Sequence, residues 1–170
     1  MARRTSLREF QENLARRLGE AKNADHRSLL GFQVGDDNWL IDLADSGEIL
    51  PPPPFVPVPL TRPWFRGLAN VRGTLHGVVD FASLHDKAPI SPAGQARLLL
   101  VGARQGIHSA LLVSRTAGLR SQEDFDTASL PDGERPWVGA HLHDAQGRLW
   151  RKLDVGRLLA HADFLEAGIA

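Results

Sequence analysis

Histidines offer the first opening for chemistry. His141 and His143 lie two apart in a stretch that reads as a strand, a spacing that sends both side chains to one face, as metal ligands require. A zinc-like site needs three or four ligands, and His108 and Asp144 are the further candidates by type, but no spacing ties them to the pair. A half-exposed sheet face accounts for these residues better than a metal centre, so no metal and no other cofactor is expected. Ser114 and Ser121 lack the G-x-S-x-G setting of an activated nucleophile. Asp36 and Asp37 fall within Gly35-Asp36-Asp37-Asn38, where turn chemistry explains both carboxylates. Neither a Walker loop nor a G-x-G-x-x-G fingerprint occurs. The chain has no cysteine, which removes disulfides, thiolate nucleophiles and cysteine-based zinc sites. The residues point away from an enzyme.

Composition narrows the class further. Among 170 residues, 20 basic side chains balance 20 acidic ones. Nucleic-acid binders gain affinity by releasing counterions from phosphates with a net basic surface, so no nucleic-acid partner is expected. Arg3 and Arg4 are followed by polar and charged residues, not by the apolar core of a signal peptide. No stretch approaches the ~18 consecutive apolar residues of a membrane span. The expectation is a soluble cytoplasmic protein without direct membrane insertion.

The elements that must position any site follow from periodicity. Residues 5–24 read as a helix with Leu7, Phe10, Leu14 and Leu18 on one face and a Ser6–Glu9 capping box at its start. A helix of that length is marginal alone, so its stripe is expected to pack on the body, with docking to a partner as the alternative. Two short apolar runs, 28–34 and 39–43, flank the turn at 35–38 as a hairpin. The proline-rich run 51–59 reads as an extended surface segment or an edge, because proline cannot donate to a ladder. A second hairpin spans 67–72 and 75–80 about Gly73, and one helical turn follows over 81–85, with Asp80 as its cap. Further strands are expected at 97–101, 109–114, 138–143 and 148–153, then a helix over 155–165. Regularly spaced short strands with turn signals predict a mainly β barrel or sandwich fold.

The ordered set Trp39-Leu40-Ile41-Asp42-Leu43, Gly47-Glu48-Ile49-Leu50, Val58-Pro59, Trp64-Phe65-Arg66-Gly67-Leu68-Ala69-Asn70-Val71-Arg72-Gly73 and Val78-Val79-Asp80-Phe81 resembles the CheW-like domain of bacterial chemotaxis adaptors. The family pattern is an apolar strand, Glu-Ile-Leu, a proline before a short turn, Gly-x-x-Asn-x-Arg-Gly, and a strand ending in Asp-Leu. The resemblance runs from residue 27 to 160. The start of the first helix, Leu-Arg-Glu-Phe-Gln-Glu-Asn-Leu, is similar to the PilI-type branch that serves type IV pili and twitching motility. Departures are the four consecutive prolines at 51–54, Phe81 in place of Leu, Gly77 inside a strand, and a segment, 123–134, that matches no pattern.

The resemblance implies two five-stranded SH3-like barrels about a shared core, with an N-terminal helical extension over 1–24 and a C-terminal helix and tail over 154–170. On this reading residues 27–88 form mainly the first barrel and 97–153 mainly the second. The implied role is a non-catalytic adaptor between the cytoplasmic tip of a methyl-accepting chemoreceptor and the CheW-like regulatory domain of a histidine kinase. A scaffold for pilus or polarity proteins outside a chemosensory array is the alternative. The implied partner-binding residues are Glu48, Asn70, Val71, Arg72 and Gly73. Arg72 beside a glycine is a charged fork that a turn can expose, and Glu48 is its candidate partner. A semi-buried pair would fix how two strands present a docking surface, whereas an exposed pair adds only ~0–1 kcal/mol.

Overall fold

The computed structural model describes residues 7–25 and 28–169, with side chains for all of these except 21–25. In chain order the elements are α1 (Leu7–Asp25), β1 (Ser28–Val34), β2 (Asp37–Asp42), β3 (Ile49–Leu50), β4 (Phe55–Val56), β5 (Phe65–Val71), β6 (Thr74–Asp80), α2 (Phe81–Leu84), β7 (Arg97–Val101), β8 (Ser109–Val113), β9 (Arg115–Ser121), β10 (Phe125–Ala128), β11 (Val138–Asp144), β12 (Leu149–Leu153), α3 (Val155–Ala160) and α4 (Ala162–Leu165). Single 3₁₀ turns occupy Ala103–Gln105 and Gln122–Asp124.

The strands form two sheets, ordered β10-β11-β12-β2-β1-β9 and β3-β7-β8-β6-β5-β4. Each curls into a barrel for a simple reason of chain length. β3 and β4 lie at opposite edges of their sheet, yet only residues 51–54 separate them. The five Cα steps from Leu50 to Phe55 span at most about 18 Å, less than the about 24 Å between the edges of a flat six-stranded sheet, so the sheet must curl. The tetraproline is therefore the seam of this barrel, extended and outside the ladder as its chemistry requires. Likewise Gln122–Asp124 alone separates β9 from β10, the two edges of the other sheet. Counting each broken edge pair as one strand gives two five-stranded barrels, as expected.

The assignment of strands to barrels differs from the sequence reading. The central barrel takes β3 to β8, whereas the terminal barrel joins β1 and β2 to β9 through β12. Residues 27–88 and 97–153 do not each make a barrel: Asn38–Ile41 of β2 pairs in parallel with Trp150–Leu153 of β12. The central barrel has the matching parallel pair, Gly77–Asp80 of β6 with Ser109–Leu112 of β8. β6 ends at Asp80 and leads into α2, and Asp154 follows β12 and leads into α3, each aspartate capping its helix N-terminus. The two barrels thus share one pairing scheme, with the last two strands of the terminal barrel moved to the start of the chain.

This exchange explains why β1 and β2 are buried on both faces. Leu29 and Leu40 fill the terminal barrel together with Leu142 and Trp150. The opposite face, with Leu30, Phe32, Trp39 and Ile41, joins Val78, Phe81, Leu111 and Trp137 in one core shared by both barrels. Full burial of such a side chain contributes about 1.5–3 kcal/mol, so the barrels are bound tightly together. Gly77, the departure noted above, has its reason here: an added Cβ would lie 3.0 Å from the Phe65 ring that covers it.

α1 departs from its expected packing. Leu7, Phe10, Leu14 and Leu18 are 73%, 58%, 48% and 57% exposed, so the stripe is not buried on the body. Ser6 of the expected capping box lies outside the described residues. The C-terminal helix is broken at His161 into α3 and α4.

Candidate docking site

The Asn-x-Arg-Gly stretch is a two-residue hairpin loop. β5 ends at Val71 and β6 begins at Thr74, its direct partner across the ladder. The loop residues Arg72 and Gly73 both take positive φ, 50° and 84°. Positive φ at both positions defines the type I′ turn, whose twist matches the flanking strands. Glycine meets that requirement freely. Arginine does not, and a left-handed backbone costs it roughly 1–2 kcal/mol. Asn70 offsets part of that cost, because its side-chain oxygen accepts the Gly73 N–H at 2.8 Å.

The turn aims Arg72 across the barrel seam. Its Nη2 donates to Glu48 Oε1 at 2.8 Å, with the arginine side chain 81% exposed and the glutamate 36%. The expected pair forms, but on the surface, where it adds little to stability. A strained, exposed arginine with a weak stabilising role is an outlier of the kind that marks functional sites. Val71, expected among the partner-contacting residues, is instead 7% exposed and belongs to the core. Strand alternation explains this: Gly67, Ala69 and Val71 point inward, while Leu68 and Asn70 point out.

Outward neighbours complete the surface, and the sequence reading had not named them. Val56 of β4 faces Leu68 of β5, and Asn70 faces Leu75 of β6. Val56, Leu68 and Leu75 are 70%, 37% and 59% exposed. They form an apolar strip beside the Arg72–Glu48 pair. The signal was present in the alternation of β5, but it becomes legible only once β4 is known to pair there.

Beneath this face, Asp80 caps α2 as expected, accepting from Ala82 N at 3.1 Å and Ser83 N at 3.0 Å. Its other oxygen accepts from Arg66 Nη1 and Ile90 N, both at 2.8 Å. Asp80 is fully buried, so Arg66 is its necessary counter-charge. The hairpin base is thereby locked to α2. His85 closes α2 and sits between Trp39, Phe81 and Trp137. Trp137 Nε1–H donates to His85 Nε2 at 3.1 Å, which leaves Nδ1–H to donate to the Phe81 carbonyl. Burial holds the His85 pKa below its usual value.

His141 and His143 do not share a setting. His141 is buried, its Nε2 2.6 Å from Glu134 Oε2, while His143 is exposed. Burial works against the Glu134 carboxylate, but the Arg135 N–H and the His141 ring hold its pKa below the usual range. Arg151 links Glu134 to Asp37, and Lys87 also contacts Asp37. His108 packs on the ring of His76, and Asp144 accepts from Trp150 Nε1 and the Arg148 side chain.

A sequence profile of the CheW-like domain matches residues 28–163. The chain belongs to the CheW-like family. It is 26% identical over 144 residues to the protein PilI of Pseudomonas aeruginosa, spanning 82% of this chain and 79% of PilI. The chemotaxis protein CheW of Rhizobium meliloti is 24% identical over 106 residues, covering 62% of this chain and 68% of that protein. The crystal structure of the scaffolding protein CheW from Thermoanaerobacter tengcongensis superposes with a TM-score of 0.68 at 14% identity, over 82% of this chain and 96% of that one. This is the fold of a family of scaffolds and adaptors. α1 lies ahead of the matched region, and no helix among the described residues is long and apolar enough to cross a membrane.

Proposed function

We propose that this CheW-like protein is a non-catalytic scaffold that couples the cytoplasmic tip of a methyl-accepting chemoreceptor to the CheW-like regulatory domain of a histidine kinase. The pathway it serves is chemotaxis-like and controls type IV pilus twitching motility, a reading supported by the similarity to PilI. The observation that carries the docking site is Arg72, held out by a left-handed turn, paired with Glu48 and flanked by Val56, Leu68 and Leu75. An apolar strip beside a charged fork combines buried area with directional recognition, the usual make-up of a protein interface. Recruitment to membrane-associated or polar arrays then comes through the partners.

The test is reconstitution from purified components: this chain, the signalling domain of a cognate receptor, and the kinase. Titration calorimetry is expected to give binding to both, and the chain to raise kinase phosphorylation in the presence of receptor. Glu48→Ala and Arg72→Ala are each expected to weaken binding, with the double variant less than additive because the two side chains act together. Binding to neither component by folded wild-type protein would sink the reading. Binding to pilus or polarity proteins alone would move the scaffold outside the chemosensory array.

A further inference from the structure

The described surface carries its large exposed apolar side chains in separate groups, and two of these groups complement each other. The first is the α1 seam. At about 100° per residue, Leu7, Phe10, Leu14 and Leu18 fall within an arc of about 80°, too narrow for the broad apolar face of a lipid-surface helix. Arg17 borders the seam about 65° from its centre, whereas Glu9, Glu12 and Glu20 project more than about 120° away. Arg16 is engaged with Asn13 and Glu20, while Arg17 has no partner among the described residues.

The second group lies where the chain's last described residues run beside 60–62. Ile169 N donates to the Leu60 carbonyl at 2.8 Å, Arg62 N donates to the Ala167 carbonyl at 2.7 Å, and Thr61 bridges Gly168. This sets Leu60, 78% exposed, next to Ile169, 51% exposed, with Leu165, 54% exposed, just before it in the chain. Leu60 has a φ of 58°, a left-handed conformation unusual for a bulky side chain. Exposed Asp163, whose carboxylate lies 3.7 Å from His161 Nδ1, and exposed Glu166 border this ledge, and Arg62, its Nε held by the Glu166 carbonyl, is a neighbouring cation. Ile49 follows Glu48 and Leu130 lies two residues before Asp132, but neither stands with a second exposed large apolar side chain in its own segment; the two remaining groups have the wrong charge for Arg17. Val56, Leu68 and Leu75 lie near Arg66 and Arg72, and Leu119 lies between Arg115 and Arg120.

We propose that the α1 seam of one copy docks on the Leu60, Leu165 and Ile169 ledge of a second copy, with Arg17 set against Asp163 and Glu166. A symmetric α1 pair fits less well, because four apolar side chains make fewer than the three or four heptads of a coiled coil. The contact joins two different faces, so copies either close into a ring, reciprocal exchange of α1 between two copies included, or string in a row. Its few apolar side chains place it below the ~1,600 Å² of a standard stable interface, so the association is weak in dilute solution. This contact is separate from the hairpin surface and does not depend on it.

The absence of native cysteine makes trapping clean. Full-length Leu14→Cys and Ile169→Cys variants are mixed at high concentration and oxidised mildly, with exposed Ser91→Cys replacing Ile169→Cys as the control. A disulfide between the two different variants, well above the control, is the expected result. Arg17→Glu in the first variant is expected to lower its yield about tenfold, and Glu166→Arg in the second to restore it. Circular dichroism confirms that every variant is folded. Disulfides between two Leu14→Cys chains alone, closure within one chain of a double variant, a yield equal to the control, or indifference to charge reversal would each overturn the proposal.

Discussion

Arg72→Asn removes the docking cation without disturbing the turn that presents it. The wild-type arginine adopts a φ of 50°, and left-handed backbone costs an ordinary side chain roughly 1–2 kcal/mol. Asparagine visits that region readily, so most of this cost is recovered. Against the gain stands the loss of the Glu48 contact, which with an 81% exposed cation is worth ~0–1 kcal/mol. The variant is therefore as stable as the parent, or more stable by up to about 1 kcal/mol, a Tm change of about 0 to +4 °C. Arg72→Ala loses the same contact but keeps the strain, so it melts below Arg72→Asn. Arg72→Lys keeps the charge but loses the two-pronged guanidinium, and is expected to bind poorly as well. Thermal melts are paired with titration calorimetry against the receptor domain and the kinase regulatory domain. Binding by Arg72→Asn is expected to fall at least about tenfold, the scale of a central interface arginine. A melt several degrees below the parent would refute the turn argument, and unimpaired binding to both partners would refute the docking role.

Asn70→Ala removes the acceptor of the Gly73 N–H and should cost about 0.5–1.5 kcal/mol, read as a lower denaturation midpoint; no loss would mean the bond does not hold the turn. Asp80→Ala leaves Arg66 and the N–H groups of Ala82, Ser83 and Ile90 without their acceptor, and is expected to cost about 3–5 kcal/mol in urea unfolding. His85, whose folded pKa burial depresses below 6.5, stays neutral while the unfolded chain takes up a proton, so stability should fall as pH drops below about 6.5. His85→Gln should flatten that slope in melts run from pH 7 to pH 5. Burial opposes the Asp144 carboxylate, yet bonds from Trp150, Arg148 and Gln146 hold its pKa down to about 2. Its contribution is present above about pH 3.9 and lost as pH falls towards about 2, so Asp144→Asn should lack that acid-side step.

What was legible in the residues was local. The β5–β6 hairpin, the Asp80 cap and the Glu48–Arg72 pair depend on short-range turn chemistry and on a motif read in order. Barrel membership depends on long-range pairing, which no local pattern encodes. β2 meets β12 across more than a hundred residues, so a hairpin-by-hairpin reading put them in different barrels. β9 escaped notice because both of its faces are largely exposed and Gly118 bulges it, leaving no alternation to see. β10 is four residues long and falls in the segment that matched no pattern. Val71 is buried between the outward Asn70 and Arg72, whereas a motif names positions without saying which way they point. Arg66 was passed over for the converse reason: its role follows only from the complete burial of Asp80.

The strand exchange bears directly on what a scaffold must do. The chain leaves the terminal barrel through residues 43–48 and returns to it through Ser114 alone. Glu48 ends the first crossing, and Ser114 is pinned by its N–H to the Gln33 carbonyl and by its hydroxyl oxygen accepting the Gly35 N–H. Two barrels joined by a flexible linker would move as domains do by default. Here Phe32 and Trp39 of one barrel pack on Phe81 of the other, and the core continues through Leu111 and Trp137. Hinging would expose that apolar area, so the barrels hold one fixed angle. A protein that bridges two partners needs that angle more than it needs any reactive group. The exposed Arg72–Glu48 pair spans the central hairpin and the crossing segment, so a partner that grips it touches both at once. Loosening the shared core, by Phe81→Ala for example, should therefore weaken docking at Arg72 in step with the loss of stability, although Phe81 is fully buried and touches no partner. If binding at Arg72 survived such a variant unchanged while the melt dropped by several degrees, rigidity between the barrels would not be what the docking site requires.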